Sequence, residues 1–310
     1  MAEEFYLIGG CLISKSEWEG KINHIQESIL EEVEDKGKAR RMIAQEVQRA
    51  VGERIPEGKK FGVMFSGGVD SSLIALIAKK AVESAGKDFI CYTLGFQDNK
   101  SKEPEDVEFA IQAAKELGLK LRTKVLSLNQ AEALVKRTAK ILGPGLNNAV
   151  NVGVGGVVLG CVEMAKEDGI SYLFSGLGSE EIFAGYHRHK LAKDKQVECW
   201  QGLLAMYDRD LLRDNAIARA TGTSLLTPFL DEKLIASAMS VPGSLKMNDK
   251  HHGNSKLILR EAAEGLGLPE KIAWRGKRAA QYGSRLDKAI EKLAHNNKLK
   301  YKKDYLKSLN

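Results

Sequence analysis

Two short stretches of this chain gather residue types suited to phosphate chemistry. The first, Ser66-Gly67-Gly68-Val69-Asp70-Ser71-Ser72, follows an apolar run and opens an apolar helical segment. Its glycines permit a tight turn and close backbone approach, so several N–H groups can face one anion. A helix amino end adds positive potential, and three serine hydroxyls add donors. Asp70 is out of place beside a bare anion unless a divalent cation bridges the two, so this loop predicts bound Mg²⁺. The second stretch runs Ser175-Gly176-Leu177-Gly178-Ser179-Glu180-Glu181-Ile182-Phe183-Ala184-Gly185-Tyr186, with His187, Arg188, His189 and Lys190 behind it. That basic cluster could bind substrate or lend a histidine as a base, and it reads equally well as a surface helix face. Lys277 stands between Arg275 and Arg278; by itself such a run is more often a solvated basic face. The common nucleotide motifs are missing. There is no G-x-x-x-x-G-K-[ST], and Gly153, Gly155 and Gly156 lack a further glycine at position 158, where Val158 stands.

The elements that must hold these turns alternate. Phe61–Phe65, Phe89–Leu94, Leu121–Leu126 and Ile170–Phe174 read as short strands rich in apolar and β-branched residues. Between them lie a helix after the first turn, a helix from Glu105 to Leu117 stopped by Gly118, and a helix capped at Asn129 that ends at Gly143-Pro144. A further helix ends near Gly169. The alternation predicts an α/β fold with a doubly wound parallel sheet, whose ligands bind beyond the carboxyl ends of the strands. Both glycine-rich turns sit at such ends. Residues 1–60 read as a helical lead-in, 61–190 as the α/β core, and 191–310 as a mainly helical region with a basic tail at 292–310.

Composition narrows the class. With 310 residues, 43% hydrophobic and 28% charged, the chain is neither disordered nor fibrous. Its four cysteines (Cys11, Cys91, Cys161 and Cys199) are far apart, which argues against a zinc ribbon, an iron–sulfur site or a disulfide scaffold and for a reducing compartment. Cys11 is expected to be a small core residue. The apolar run from Ala149 to Ala165 is broken by Asn151, Glu163 and four glycines, so no membrane span is expected, and the start lacks a signal-peptide pattern. A soluble, cytoplasmic protein is the expectation. The net charge of +6 is concentrated in the tail, which carries six lysines and one aspartate.

SGGVDSS resembles the pyrophosphate-binding loop of the N-type ATP pyrophosphatases, which split ATP between its α and β phosphates. The second stretch is similar to SGEGSDEIFGGY in the synthetase domain of asparagine synthetase. Other segments follow in that family's order. Tyr92-Thr93-Leu94-Gly95-Phe96 looks like the adenine-receiving strand, and Leu211-Leu212-Arg213-Asp214-Asn215 like LLR-x-D. Thr227-Pro228-Phe229-Leu230-Asp231 is similar to VPFLD, Lys256-Leu257-Ile258-Leu259-Arg260 to K-x-ILR, and Trp274-Arg275-Gly276-Lys277 to W-R-x-K. The resemblance implies an adenine nucleotide alpha hydrolase-like fold. It also implies a ligase that turns ATP and a carboxylate into an acyl-adenylate, releases pyrophosphate, and forms an amide with ammonia or an amine. By position, Ser66, Gly67, Gly68, Asp70, Ser71 and Ser72 would hold pyrophosphate, and Asp70 and Glu180 would hold Mg²⁺. Phe65 and Leu94 would flank the adenine of ATP, with Ser175 and Gly176 nearby. Asp70 and Lys277 would carry the catalytic charges, Lys277 neutralising the phosphates as adenylate forms.

The departures are as informative. Leu177 stands where asparagine synthetase has a glutamate, and a hydrocarbon accepts no proton from an amine. Asn147 to Gly156 reads NNAVNVGVGG, without the arginine and the threonine-proline pair of the family, so aspartate is not the expected acyl substrate. Position 2 is Ala2 rather than a cysteine nucleophile, and only about 60 residues precede the loop. Nitrogen is therefore expected as free ammonia or from a separate glutaminase subunit. A tRNA-modifying ATP pyrophosphatase, which the basic tail would suit, is the alternative reading; a nucleotide-binding protein without turnover is a third. The isolated chain should release no glutamate from glutamine; a coupled glutamate assay that shows release would contradict this.

Overall fold

The computed structural model describes residues 3–83, 88–98, 104–248, 255–276 and 280–309. A hairpin of two-residue strands, β1 (Leu7–Ile8) and β2 (Cys11–Leu12), precedes helices α1 (Lys15–Ser28) and α2 (Lys36–Gly52). Ser14 starts α1 by a reciprocal cap, its hydroxyl accepting from the Glu17 N–H while Glu17 accepts from the Ser14 N–H. Five strands then form one parallel sheet: β3 (Gly62–Met64), β4 (Ile90–Phe96), β5 (Leu121–Leu126), β6 (Tyr172–Phe174) and β7 (Ser224–Leu226). Their order is β5-β4-β3-β6-β7. The chain lays β4 and β5 to one side of β3 and β6 and β7 to the other, so the order switches between β3 and β6. Ligands of open parallel sheets bind at that crevice.

Helices α3 (Val69–Glu83), α4 (Glu105–Leu117), α5 (Leu128–Leu146) and α6 (Ala149–Glu167) connect the first four of these strands. The doubly wound α/β architecture is as the alternation predicts, and Gly118 ends α4 with φ 59°. Some details differ. Ser127, not Asn129, caps α5, because its hydroxyl reaches the Gln130 N–H. α5 also runs past Gly143 across a kink (φ 64°) and stops at Leu146. Strand β7 escaped the sequence pattern because three residues show no periodicity. Cys11 is exposed rather than in the core, and so is Ile8, the residue it pairs with across the β1–β2 hairpin. α6 is long and apolar enough to cross a membrane, but 67% of its most apolar window is buried inside the protein.

Two apolar clusters cover the sheet. One joins Ile22, Ile43, Phe61, Leu73, Phe229 and Ile258, from widely separated parts of the chain. The other joins Leu94, Val135, Val162, Leu173, Ile217 and Leu286, and it takes in Tyr305 and Leu306 of the basic tail. Asn147 Nδ2 donates to the Leu306 carbonyl at 2.7 Å, so the tail is docked. Beyond β6, α7 (Ser179–Ile182), α8 (His187–Leu191), α9 (Lys195–Met206) and α10 (Leu212–Thr221) lead to β7, and α11 (Glu232–Met239) follows it.

Asp231 caps α11 through the N–H groups of Lys233 and Leu234. Its other oxygen accepts from Arg54 Nη1 at 3.0 Å, while Arg54 Nε donates to Glu4 Oε1 at 3.1 Å. Arg54 is only 1% exposed, so this network is desolvated. Removing one partner of a buried ion network strands the others, at a cost of about 3–5 kcal/mol. Arg54→Leu should lower the denaturant midpoint accordingly, whereas Lys15→Ala, which breaks an exposed pair with Asp208, should leave it unmoved. Equal effects of the two in urea titrations would contradict this account.

Candidate active site

The loop after β3 is closed by its own hydroxyls. The Phe65 N–H donates to the Tyr92 carbonyl at 2.8 Å, carrying the sheet one residue past the strand. The Ser66 N–H then donates to Ser71 Oγ at 3.2 Å, Ser71 Oγ donates to the Gly68 carbonyl at 3.3 Å, and the Gly68 N–H reaches Ser66 Oγ at 3.4 Å. Gly67 has φ 68°, and a Cβ there would lie 2.6 Å from the Phe109 carbonyl oxygen, so this glycine serves close packing on α4. Asp70 lies in the first turn of α3. Across the switch point, the Ser175 N–H donates to the Leu226 carbonyl at 2.8 Å, and Gly176 packs on the Asp70 Cβ. The chain then turns into α7, where Ser179, Glu180 and Glu181 are buried.

Lys256 joins the two turns. Its ammonium donates to Asp70 Oδ2 at 2.7 Å, Glu180 Oε1 at 2.6 Å and Ser179 Oγ at 2.9 Å. Lys256 is 1% exposed, and burial holds its pKa below the usual lysine value although Asp70 pulls it up. It sits at φ 60°, an uncommon conformation for a long side chain, at the start of the helix Leu257–Gly265. A Cβ on Gly185 would fall 1.8 Å from Glu180 Oε2 and 2.5 Å from Lys256 Cε, so a side chain there would push the ion pair apart. Asp70 and Glu180, the two carboxylates assigned to Mg²⁺, each give one oxygen to the Lys256 ammonium, and a Mg²⁺ would have to use carboxylate oxygens beside it. The donor set fits a hard divalent ion. Sequence reasoning placed Lys256 only within a family segment and missed this role.

Around this point opens a cavity of about 320 Å³. Phe65, Ser66, Asp70, Ser71, Leu94, Ser175, Gly176 and Glu180 all border it. Gly68 borders an adjoining recess of about 20 Å³ with Lys256, Arg260, Arg275 and Gly276. Gly67 and Ser72 line neither, Ser72 being fully buried. Lys277 lies outside the described residues. Arg275 holds the loop from below: Nη1 donates to the Ser66 carbonyl at 2.6 Å, Nη2 to Asp106 Oδ1 at 3.2 Å, and the guanidinium stacks 3.7 Å from the Phe109 ring. Arg260 in turn donates to the Arg275 carbonyl at 3.0 Å.

The far wall is charged but internally paired. A π-helical turn, Tyr207–Leu211, presents Arg209 to Glu181 and to Asp210, and Arg213 pairs with Asp210 at 3.0 Å and Asp214 at 2.7 Å. Burial raises the pKa of Glu181, with Asp210 adding to the effect and Arg209 opposing it. Of the basic cluster, Arg188 borders the cavity; its Nε pairs with Glu198 at 2.7 Å and its guanidinium lies 4.2 Å over the Tyr186 ring. His189 is no candidate base. It is fully buried, its Nδ1 accepts from the Tyr186 N–H at 3.0 Å, and burial pushes its pKa down to about 4. His187 and Lys190 are exposed.

Comparison with known proteins places the chain in a family. The family model described as asparagine synthase matches residues 42–201 and 192–304. A Methanocaldococcus jannaschii chain assigned as a glutamine-hydrolysing asparagine synthetase is 32% identical over 88% of this chain and 54% of its own length. Asparagine synthetase B of Escherichia coli is 28% identical over 81% of this chain and 45% of its own. The chain thus spans about half the length of these relatives. Among solved structures, the U34-tRNA thiolase NcsA of Methanococcus maripaludis aligns over 86% of this chain and 78% of its own, with 14% identity and a TM-score of 0.39, too low a likeness to inform function.

Lys256→Met should expose the dependence of this site on one positive charge. Without the ammonium, both buried carboxylates lose a charged partner, at a cost of about 3–5 kcal/mol. Millimolar Mn²⁺ should then raise the melting temperature of the variant more than that of the wild type. A variant as stable as the wild type, or one indifferent to Mn²⁺, would refute the arrangement.

Proposed function

Because the chain belongs to the asparagine synthase family, we propose that it is an ATP-dependent ligase that activates a carboxylic acid as its acyl-adenylate and joins it to ammonia or another amine. The observation that carries this reading is the convergence of the Ser66–Ser72 loop, Asp70, Glu180 and Lys256 at the switch point of the sheet. In the first step a carboxylate oxygen attacks the α phosphorus of ATP. The bond to the α–β bridging oxygen breaks, and pyrophosphate leaves with the electron pair. In the second step the amine attacks the acyl carbon and loses a proton, and AMP departs.

Each group of residues has a task in this scheme. The Ser66–Ser72 backbone and hydroxyls receive the β and γ phosphates, with Lys256, Arg260 and Arg275 supplying positive charge around the recess. Lys277 neutralises charge that develops on the phosphates as adenylate forms. Phe65 and Leu94 hold adenine, and Ser175 and Gly176 border it. A Mg²⁺ held by Asp70 and Glu180 would neutralise charge on the leaving pyrophosphate. The cavity walls shield the adenylate from water, which would otherwise hydrolyse it. Leu177 accepts no proton, whereas Glu181 borders the same cavity, and its raised pKa suits it to take one from the amine. Nitrogen arrives as ammonia, free or passed on from a glutaminase. Residues 61–190 supply the loop, the adenine contacts and both carboxylates, 191–310 add Lys256, Arg260, Arg275 and Lys277, and 1–60 pack on the same core.

Incubated with ATP, Mg²⁺ and a pool of carboxylates, the chain should yield AMP and pyrophosphate. Asp70→Asn should slow that yield by at least about a hundredfold, the scale of losing one fixed electrostatic group at a reacting centre. Chromatography that finds ADP and orthophosphate instead would overturn the assignment.

A further inference from the structure

On the ligase reading above, we propose that the acyl substrate is a short monocarboxylic acid with an aliphatic body, seated against the amino-terminal half of α6 by Val150, Val154 and Val157 together with Leu177. The side chains that α6 gives to the cavity are Val150, Val154, Val157, Val158 and Cys161, a single stripe at helical spacing. Its two carboxyl-side members belong to the nucleotide end, since Cys161 Sγ donates to the Tyr92 carbonyl at 3.7 Å on the strand that carries Leu94. The other three lie toward the amino end of α6. Val150 is 48% exposed and marks the mouth, while Val154 and Val157 are half-buried below it.

The charged side chains of the facing wall are ion-paired among the described residues. Arg209 is held by Glu181 and Asp210, Arg213 by Asp210 and Asp214, and Arg188 by Glu198 through Nε, its Nη2 unpartnered but buried against Gly202 and out of reach of the cavity. A second carboxylate on the substrate would have to leave water for valine side chains, or displace one of these pairs. Each alternative is costly. A hydrocarbon body meets neither obstacle, and one methylene in an apolar pocket discriminates roughly 10–200-fold. The nucleotide shares this cavity, which leaves the acyl body the stretch from Val150 to Val157, about 10 Å along the helix, and so room for a few carbons.

The test is ATP–[³²P]pyrophosphate exchange by the full chain with Mg²⁺, using propanoate, butanoate, pentanoate, hexanoate, succinate and aspartate, with ATP binding measured in parallel. Exchange should be at least tenfold faster with the best straight-chain monocarboxylate than with succinate or aspartate. Val154→Arg, which places a cation in the valine stripe, should reverse that order, raising the KM for the monocarboxylate tenfold or more and lowering that for succinate. Exchange as fast with aspartate or succinate in the wild type would overturn this inference and leave the ligase reading standing. Exchange with none of the acids would also overturn it; the ligase reading falls as well only if the chain yields ADP or fails to bind ATP.

Discussion

One buried ammonium organises the centre of this molecule. Lys256 reaches Asp70 at the start of α3 and Glu180 in α7, and so ties together the two turns that leave the sheet on either side of its switch point. Much of the local architecture follows from the need to put that charge there. The chain adopts a left-handed conformation at Lys256, a residue that ordinarily avoids it, and gives up a side chain at Gly185. A charge this deep is stable only when its partners are all in place, which couples α3, α7 and the helix Leu257–Gly265.

Much of the fold could be read from the residues because apolar runs of four to six announce strands and glycines mark the turns behind them. The loop Ser66–Ser72 and the segment Ser175–Tyr186 showed themselves by composition alone. What stayed hidden depends on distant partners. Nothing local marks Lys256 as different from any lysine heading an apolar helix, and its partners lie 186 and 76 residues away. His189 looked like chemistry and is a buried turn contact, because neighbours in sequence do not report which way a short helix faces. Asp231, within a segment matched only by resemblance, proved to be a helix cap and an ion partner of Arg54.

The two ends of the cavity obey different electrostatic rules. At the recess, Lys256, Arg260 and Arg275 surround Ser66 and Gly68; Lys256 is held by Asp70 and Glu180 and Arg275 by Asp106, while Arg260 donates to backbone carbonyls. At the far wall, arginines and carboxylates alternate and cancel. The first arrangement leaves Arg260 without a carboxylate partner among the described residues, a positive charge that favours an anion; the second fixes geometry without creating a field. Selectivity for what enters the far end therefore falls to shape and apolar contact.

The contact between Arg275 and the Ser66 carbonyl closes a loop of 209 residues, and that between Lys256 and Asp70 closes one of 186. Such long-range closures come late in folding, since the entropy of the intervening chain must be lost first. During synthesis at about 5–20 residues per second, the wait between Asp70 and Lys256 is roughly 10–40 s. Throughout that interval the nascent chain carries the glycine-rich loop, and over its last 76 residues both carboxylates, without the cation that holds them together. A nucleotide site of this design is assembled from its carboxyl end, and a ribosome-bound or truncated product has the motif but not the site.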